Sequence, residues 1–218
     1  MYNGVEGRGV PVSDRVPIAA AEAARDPEAA LVIVDVQNDF CPGGALAVPR
    51  GDEVVPVLNG WVEAFTAAGR PVVYTQDWHP EGHISFRERG GPWPVHCVQG
   101  TRGADFHPGL AVRGTVFRKG FDRDREAYSG FDGALARGER GVDPGTGLAG
   151  WLRERGVRRL YVGGLATDYC VRATVLDGLA AGFEVSVLIP AVRAVDVEPG
   201  DGDRALREMQ EKGARLVG

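Results

Sequence analysis

A chain of 218 residues, 44% hydrophobic and 25% charged, is long enough for one domain with a full core. No apolar run approaches the ~18 residues of a membrane span, and a net charge of −5 argues against nucleic acid or an anionic membrane as a partner. Three cysteines (Cys41, Cys97 and Cys170), odd in number and without framework spacing, point to reduced thiols and a cytoplasmic setting.

Residues 1–28 are rich in Gly, Pro and Ala and carry charges where a signal peptide would be apolar. They read as an N-terminal extension, an extended arm with a short helix around Ala19 to Ala24, and residues 29–218 as one domain. Leu31-Val32-Ile33-Val34 is a continuous apolar run, the mark of a strand buried on both faces. A helix is predicted over 52–68, with Val55, Leu58, Val62 and Phe65 on one stripe and Gly69 as its stop. Further strands are predicted at 71–76, 115–118, 159–164, 185–189 and 213–217, the last at an edge. Helices are predicted at 148–155, from Thr167 or Asp168 to Gly182, and at 203–212. The stretch 77–110 reads as a long functional loop and the stretch from 119 to about Pro144 as irregular. Alternating strands and helices give an α/β fold with a parallel sheet covered on both faces.

Ligands of such sheets bind beyond the carboxyl ends of the strands, where the strand order reverses. Asp35, Lys119 and Cys170 each stand just past a predicted strand. Cys170 falls in the first turn of a helix capped by Thr167 or Asp168. Free N–H groups and the helix dipole there favour a thiolate and can hold an oxyanion. Each residue also has a plainer reading: a small core cysteine, a capping aspartate, a solvated lysine. Gathered in one crevice they form a reactive set, in which Asp35 removes the thiol proton and Lys119 keeps the carboxylate ionised.

Of the four histidines in the chain, His79, His83 and His96 follow the strand at 71–76. Asp77 and His79 flank one residue, so in extended backbone their side chains point the same way. His96 supplies a third ligand from across the loop. One carboxylate and two imidazoles with open positions suit zinc, iron(II) or manganese. His83, set apart from His79 by Pro80 and Gly82, is open between a fourth ligand, a hydrogen-bond partner and a surface residue. The competing view is that these histidines only cap loops. The chain contains no Gly-x-Ser-x-Gly, no Walker-type Gly-Lys-Ser/Thr and no Gly-x-Gly-x-x-Gly between a strand and a helix.

Six blocks, in order, resemble the nicotinamidases of the isochorismatase-like cysteine hydrolase superfamily. They are residues 34–46, opening Val34-Asp35-Val36-Gln37-Asn38-Asp39-Phe40; Asp77-Trp78-His79-Pro80; residues 93–101, opening Trp93-Pro94-Val95-His96; Lys119-Gly120; Tyr128-Ser129-Gly130-Phe131; and Gly164-Leu165-Ala166-Thr167-Asp168-Tyr169-Cys170-Val171. The resemblance implies a three-layer α/β/α fold with a six-stranded, mostly parallel sheet. It implies a catalytic triad of Asp35, Lys119 and Cys170. One divalent metal ion, zinc ahead of iron or manganese, would be held by Asp77, His79 and His96, with His83 a ligand only in some relatives. A cis peptide would precede Ala166, whose N–H would join that of Cys170 in an oxyanion hole. Phe40, Trp93 and Tyr128 would surround a pyridine ring. The implied enzyme is an amidohydrolase of NAD salvage, taking nicotinamide, and also pyrazinamide, through a cysteine thioester.

Two features depart from the pattern. Some thirty residues precede Asp35, and the stretch 121–147 is long and rich in Gly and Arg; either can cover the pocket or pack on a neighbouring subunit of a homo-oligomer. Two rival readings share the pocket: a metal-free cysteine amidase acting on a carbamoyl or ureido substrate, and a non-catalytic protein that binds a pyridine ligand.

Overall fold

Six parallel strands form the centre of the sheet, and each carboxyl end faces the same rim. The computed structural model describes residues 17–218. Among them the order of elements is α1 (Ile18–Ala23), β1 (Ala29–Val34), α2 (Val54–Ala67), β2 (Val72–Asp77), β3 (Thr115–Lys119), β4 (Ala134–Arg137), β5 (Gly141–Gly147), α3 (Leu148–Arg153), β6 (Arg159–Leu165), α4 (Arg172–Ala180), β7 (Glu184–Arg193), α5 (Asp201–Glu211) and β8 (Arg215–Val217). The sheet runs β5-β4-β3-β2-β1-β6-β7-β8. From β3 to β8 every pairing is parallel. β4 and β5 extend it as an antiparallel hairpin, so the described residues give eight strands where six are implied by the resemblance.

The hairpin lies within the stretch read as irregular. Its β5 contains Pro144 and three glycines and is largely exposed, so it carries neither the alternation nor the apolar run that marks a strand. The six parallel strands are legible for the opposite reason: all six residues of β1 and of β2 are buried. Alternate β1 residues serve opposite cores. Leu31 and Ile33 pack with α1 and α2, whereas Ala30, Val32 and Val34 pack with α3, α4 and α5. Residues 1–16 of the predicted extension lie outside the described residues. α1 buries Ala20 and Ala23 in the same cluster as α2, so this part of the extension is packed into the domain.

β1 continues through α2 to β2 on one side, whereas β6 pairs with β1 on the other. The strand order therefore reverses between β1 and β6, where Asp35 and Cys170 leave the sheet. The two strands approach closely at Gly164, whose φ of +126° is open to glycine but strained for other residues. A Cβ there would stand 2.1 Å from the Val34 carbonyl oxygen. Gly164→Ala is therefore expected to lower stability by about 2–5 kcal/mol, backbone strain and overpacking together. A urea titration checks this, with a lower midpoint at unchanged slope as the expected result.

Candidate active site

Lys119 is the hub of the rim. Its side chain is fully buried at the end of β3, and its ammonium lies 2.9 Å from Asp35 Oδ2 and 3.4 Å from Cys170 Sγ. It also donates to Asp77 Oδ1 and, at 3.3 Å, to the Ala127 carbonyl. The contact with Asp77 follows from register, because Asp77 and Lys119 are direct partners in the β2–β3 ladder. One ammonium thus serves a carboxylate of the predicted triad and a carboxylate of the predicted metal set.

Burial alone would lower the Lys119 pKa, but Asp35 and Asp77 outweigh it and hold the ammonium charged. Burial raises Asp77 too, yet Lys119, then His79 and His96, keep its carboxyl well below the usual range. For Asp35, burial wins over Lys119 and raises it. Thr75 Oγ1 donates to Asp35 Oδ1 at 2.6 Å. Asp35 Oδ2 accepts no well-directed hydrogen bond despite its distance from the ammonium, and this oxygen is left free to take a proton.

Cys170 sits in a π-helical turn, Thr167–Val171, that precedes α4. The sequence placed it in the first turn of a helix capped by Thr167 or Asp168; the helical turn is there, but the capping is not. Neither side chain caps the turn. Asp168 instead accepts from the Val195 and Asp196 N–H groups at 3.0 and 2.8 Å, which fixes the loop after β7. The helix end was also expected to favour a thiolate, and here burial opposes it. Burial pushes the Cys170 thiol well above its ordinary range, with Lys119 opposing and Asp35 and Asp77 adding to the rise. The sulfur therefore rests as a thiol and needs a base, and Asp35 is placed to be one. The Leu165–Ala166 peptide is cis, as the resemblance implies.

Asp77, His79 and His96 each offer a ligand atom, all within 4.8 Å of one another, and all three are buried. His79 Nδ1–H donates to the Gly120 carbonyl at 3.0 Å, and His96 Nδ1–H to the Pro94 carbonyl at 2.7 Å. Both rings are thereby turned with Nε2 free, and His79 Nε2 lies 3.6 Å from Asp77 Oδ2. Carbonyl partners behind the ligand rings are the usual outer layer of a metal site, so the donor set fits a divalent ion. Gly120 is required here: its φ is +63°, and a Cβ would meet His79 Cε1 at 2.4 Å. Burial lowers the His96 pKa, which favours the neutral, ligating imidazole.

His83 does not join this cluster. It stacks on His79 with ring centroids 4.1 Å apart, but Ser85 Oγ occupies its Nδ1 at 2.7 Å and its Nε2–H donates to the Arg125 carbonyl at 3.0 Å. A second triple with metal-binding spacing, Asp35, Asp77 and Cys170, encloses the Lys119 ammonium, which already supplies the positive charge there.

Cys170 and the metal-type donors open on one pocket of about 460 Å³, its mouth included. Phe40, Trp93 and Tyr128 all line it. Trp93 Nε1–H donates to Tyr128 Oη at 2.9 Å, and burial pushes the Tyr128 hydroxyl up to about 12, so it stays neutral. The sequence reading missed Tyr169, which lines the pocket and meets Trp93 edge-on at 4.9 Å, and Thr75, which orients Asp35. Their signals were available: Tyr169 adjoins the cysteine, and Thr75 is a polar residue near the end of an apolar strand. Gln37 was missed as well. Its amide donates to the Asp77 carbonyl and accepts from the Asp77 N–H, both at 2.8 Å, pinning that residue to the end of β1.

The sequence model of the isochorismatase domain matches residues 29–218. The chain is 41% identical over 207 residues to the nicotinamidase of Escherichia coli (strain K12), covering 87% of this chain and 94% of that one. It is 42% identical over 193 residues to the nicotinamidase/pyrazinamidase of Mycobacterium tuberculosis (strain ATCC 25618 / H37Rv), covering 86% and 97%. The crystal structure of the pyrazinamidase of Pyrococcus horikoshii in complex with zinc superposes with a TM-score of 0.77 at 50% identity, over 88% of this chain and 99% of that one. By sequence and by fold alike, the chain belongs to the isochorismatase family.

Proposed function

We propose that the protein is a nicotinamidase, hydrolysing nicotinamide to nicotinate and ammonia with Cys170 carrying the acyl group as a thioester. The observation that carries this reading is the opening of two sets of residues on one aromatic-lined pocket: the Asp35–Lys119–Cys170 group and the Asp77–His79–His96 donors. Asp77, His79 and His96 would hold a divalent metal, which would supply Lewis acidity toward the pyridine nitrogen. Phe40, Trp93 and Tyr128 hold the ring, which places the carboxamide beside the sulfur.

Asp35 takes the thiol proton as the sulfur–carbon bond forms, and the oxygen of the tetrahedral species is received by the N–H groups of Ala166 and Cys170. Asp35 returns that proton to the nitrogen, the carbon–nitrogen bond breaks, and ammonia leaves. Water then attacks the thioester, with Asp35 taking its proton and passing it to the departing sulfur. Lys119 stays an ammonium throughout and balances the carboxylates.

The rival metal-free amidase needs no Asp77–His79–His96 cluster, and the convergence of those three donors supports the pyridine substrate instead. Zinc is the metal we assign, on the two imidazoles and one carboxylate of the set. The buried free thiols Cys41, Cys97 and Cys170 support a reducing, cytoplasmic setting, and among the described residues no helix is long and apolar enough to cross a membrane. Ammonia release from nicotinamide and from pyrazinamide by zinc-reconstituted protein tests the assignment. Turnover of both is expected; binding of nicotinamide without ammonia release would leave a pyridine-binding protein, and a metal content below about half an ion per chain after reconstitution would favour the metal-free amidase.

A further inference from the structure

The antiparallel hairpin that the sequence hid is tied to the site through one buried arginine. Arg118 precedes Lys119 on β3 and is only 7% exposed. Among the described residues its hydrogen-bond partners include no carboxylate. Nε–H donates to Gln76 Oε1 at 3.1 Å, and the terminal nitrogens donate to the carbonyls of Gly138, Glu139 and Gly141 at 3.4, 2.6 and 3.0 Å. The guanidinium lies 4.0 Å over the Trp78 ring, and Trp78 Nε1–H donates to the Arg140 carbonyl at 3.2 Å. Four consecutive carbonyls at the tip of the β4–β5 hairpin, Gly138 to Gly141, are thus held by two side chains.

Both holders are chain neighbours of site residues. Trp78 stands between Asp77 and His79, and Arg118 stands beside Lys119. Trp78 is further fixed by its own backbone, whose N–H donates to the Lys119 carbonyl at 2.9 Å and whose carbonyl accepts from Gln99 Nε2 at 2.9 Å. Burying a guanidinium without a counter-ion is costly, and a Met or Leu would fill the space without that cost. What an apolar residue cannot do is grip three main-chain carbonyls in a fixed fork.

We propose that Arg118 is a positioning residue for the metal ligands, clamping the turn at 138–141 onto Trp78 and so fixing the spacing of Asp77 and His79. This concerns metal binding and rests on the proposed ligand set, not on the identity of the substrate. Zinc affinity is the readout, measured on the full chain by competition with a chromophoric chelator, alongside thermal unfolding. Arg118→Met is expected to raise the zinc Kd at least tenfold in protein that remains folded. Arg118→Lys, which keeps the charge and loses the fork, is expected to raise it at least fivefold. Trp78→Phe, which loses the indole N–H and part of the ring under the guanidinium, is expected to fall between wild type and Arg118→Met. Glu139→Ala is the control, since the turn contributes its carbonyl and not its side chain, and its Kd should match wild type. If Arg118→Met lowers the melting temperature yet binds zinc within threefold of wild type, the clamp is only scaffold and the proposal falls. Should that variant fail to fold, a zinc Kd within threefold of wild type for Arg118→Lys overturns it equally. Wild-type protein that binds zinc but releases no ammonia from nicotinamide would remove the proposed activity and leave this inference standing.

Discussion

Cys170→Ala is expected to lower kcat/KM for nicotinamide by at least ~10³-fold, about 4 kcal/mol of transition-state stabilisation, and Asp35→Asn by a similar factor. The two side chains act on one proton, so the double variant should be little worse than either single one. Neither change should remove the metal, because neither Asp35 nor Cys170 belongs to the Asp77–His79–His96 donor set. The pH profile carries the same logic. Asp35 must be ionised to take the thiol proton, and burial raises it against the pull of Lys119. The active form is therefore lost, as pH falls, at a value above the usual carboxylate range, and Asp35→Asn should abolish that acid limb along with the activity. Steady-state ammonia release checks both variants. Losses below tenfold in both would mean that another group is the nucleophile.

The parts of this molecule legible in the sequence are those written as local patterns. β1 and β2 appear as unbroken apolar runs because both faces of the sheet are covered. The site residues appear because they cluster at strand ends, and Asp77 and His79 because a strand turns alternate residues the same way. What stayed hidden depends on pairing and surroundings. The contact between Lys119 and Asp77 is a consequence of β2–β3 register, which neither strand states alone. Asp168 has the residue type of a cap, but two N–H groups from the loop after β7 claim its carboxylate. At Cys170 the helix-end dipole, worth ~1 kcal/mol, is opposed by burial beside two carboxylates, and that neighbourhood is not written in the local sequence. The hairpin of β4 and β5 escaped because backbone pairing with β3 and contacts of its tip with Arg118 and Trp78 support it, and no local pattern states either.

His96→Ala is expected to weaken zinc binding by at least ~10²-fold and to lose nicotinamide turnover with it, since a three-donor set has no ligand to spare. Chelation of the wild-type protein should do the same reversibly, with activity returning on addition of zinc. His83→Ala is the informative comparison. Its ring is buried and stacked on His79, which makes it look like a ligand by proximity, but both of its nitrogens are already engaged by Ser85 and the Arg125 carbonyl. Recruiting it would leave the Ser85 hydroxyl and the Arg125 carbonyl to find other partners, whereas His79 and His96 keep their carbonyl bonds and still present Nε2. His83→Ala should accordingly hold zinc within about tenfold of wild type, the scale of losing a supporting contact. Equal losses for His83→Ala and His96→Ala would put four residues around the ion and require the 80–86 turn to rearrange on binding it. Unchanged zinc content in His96→Ala would remove His96 from the set, and with it the geometric reason for assigning a pyridine substrate to this pocket.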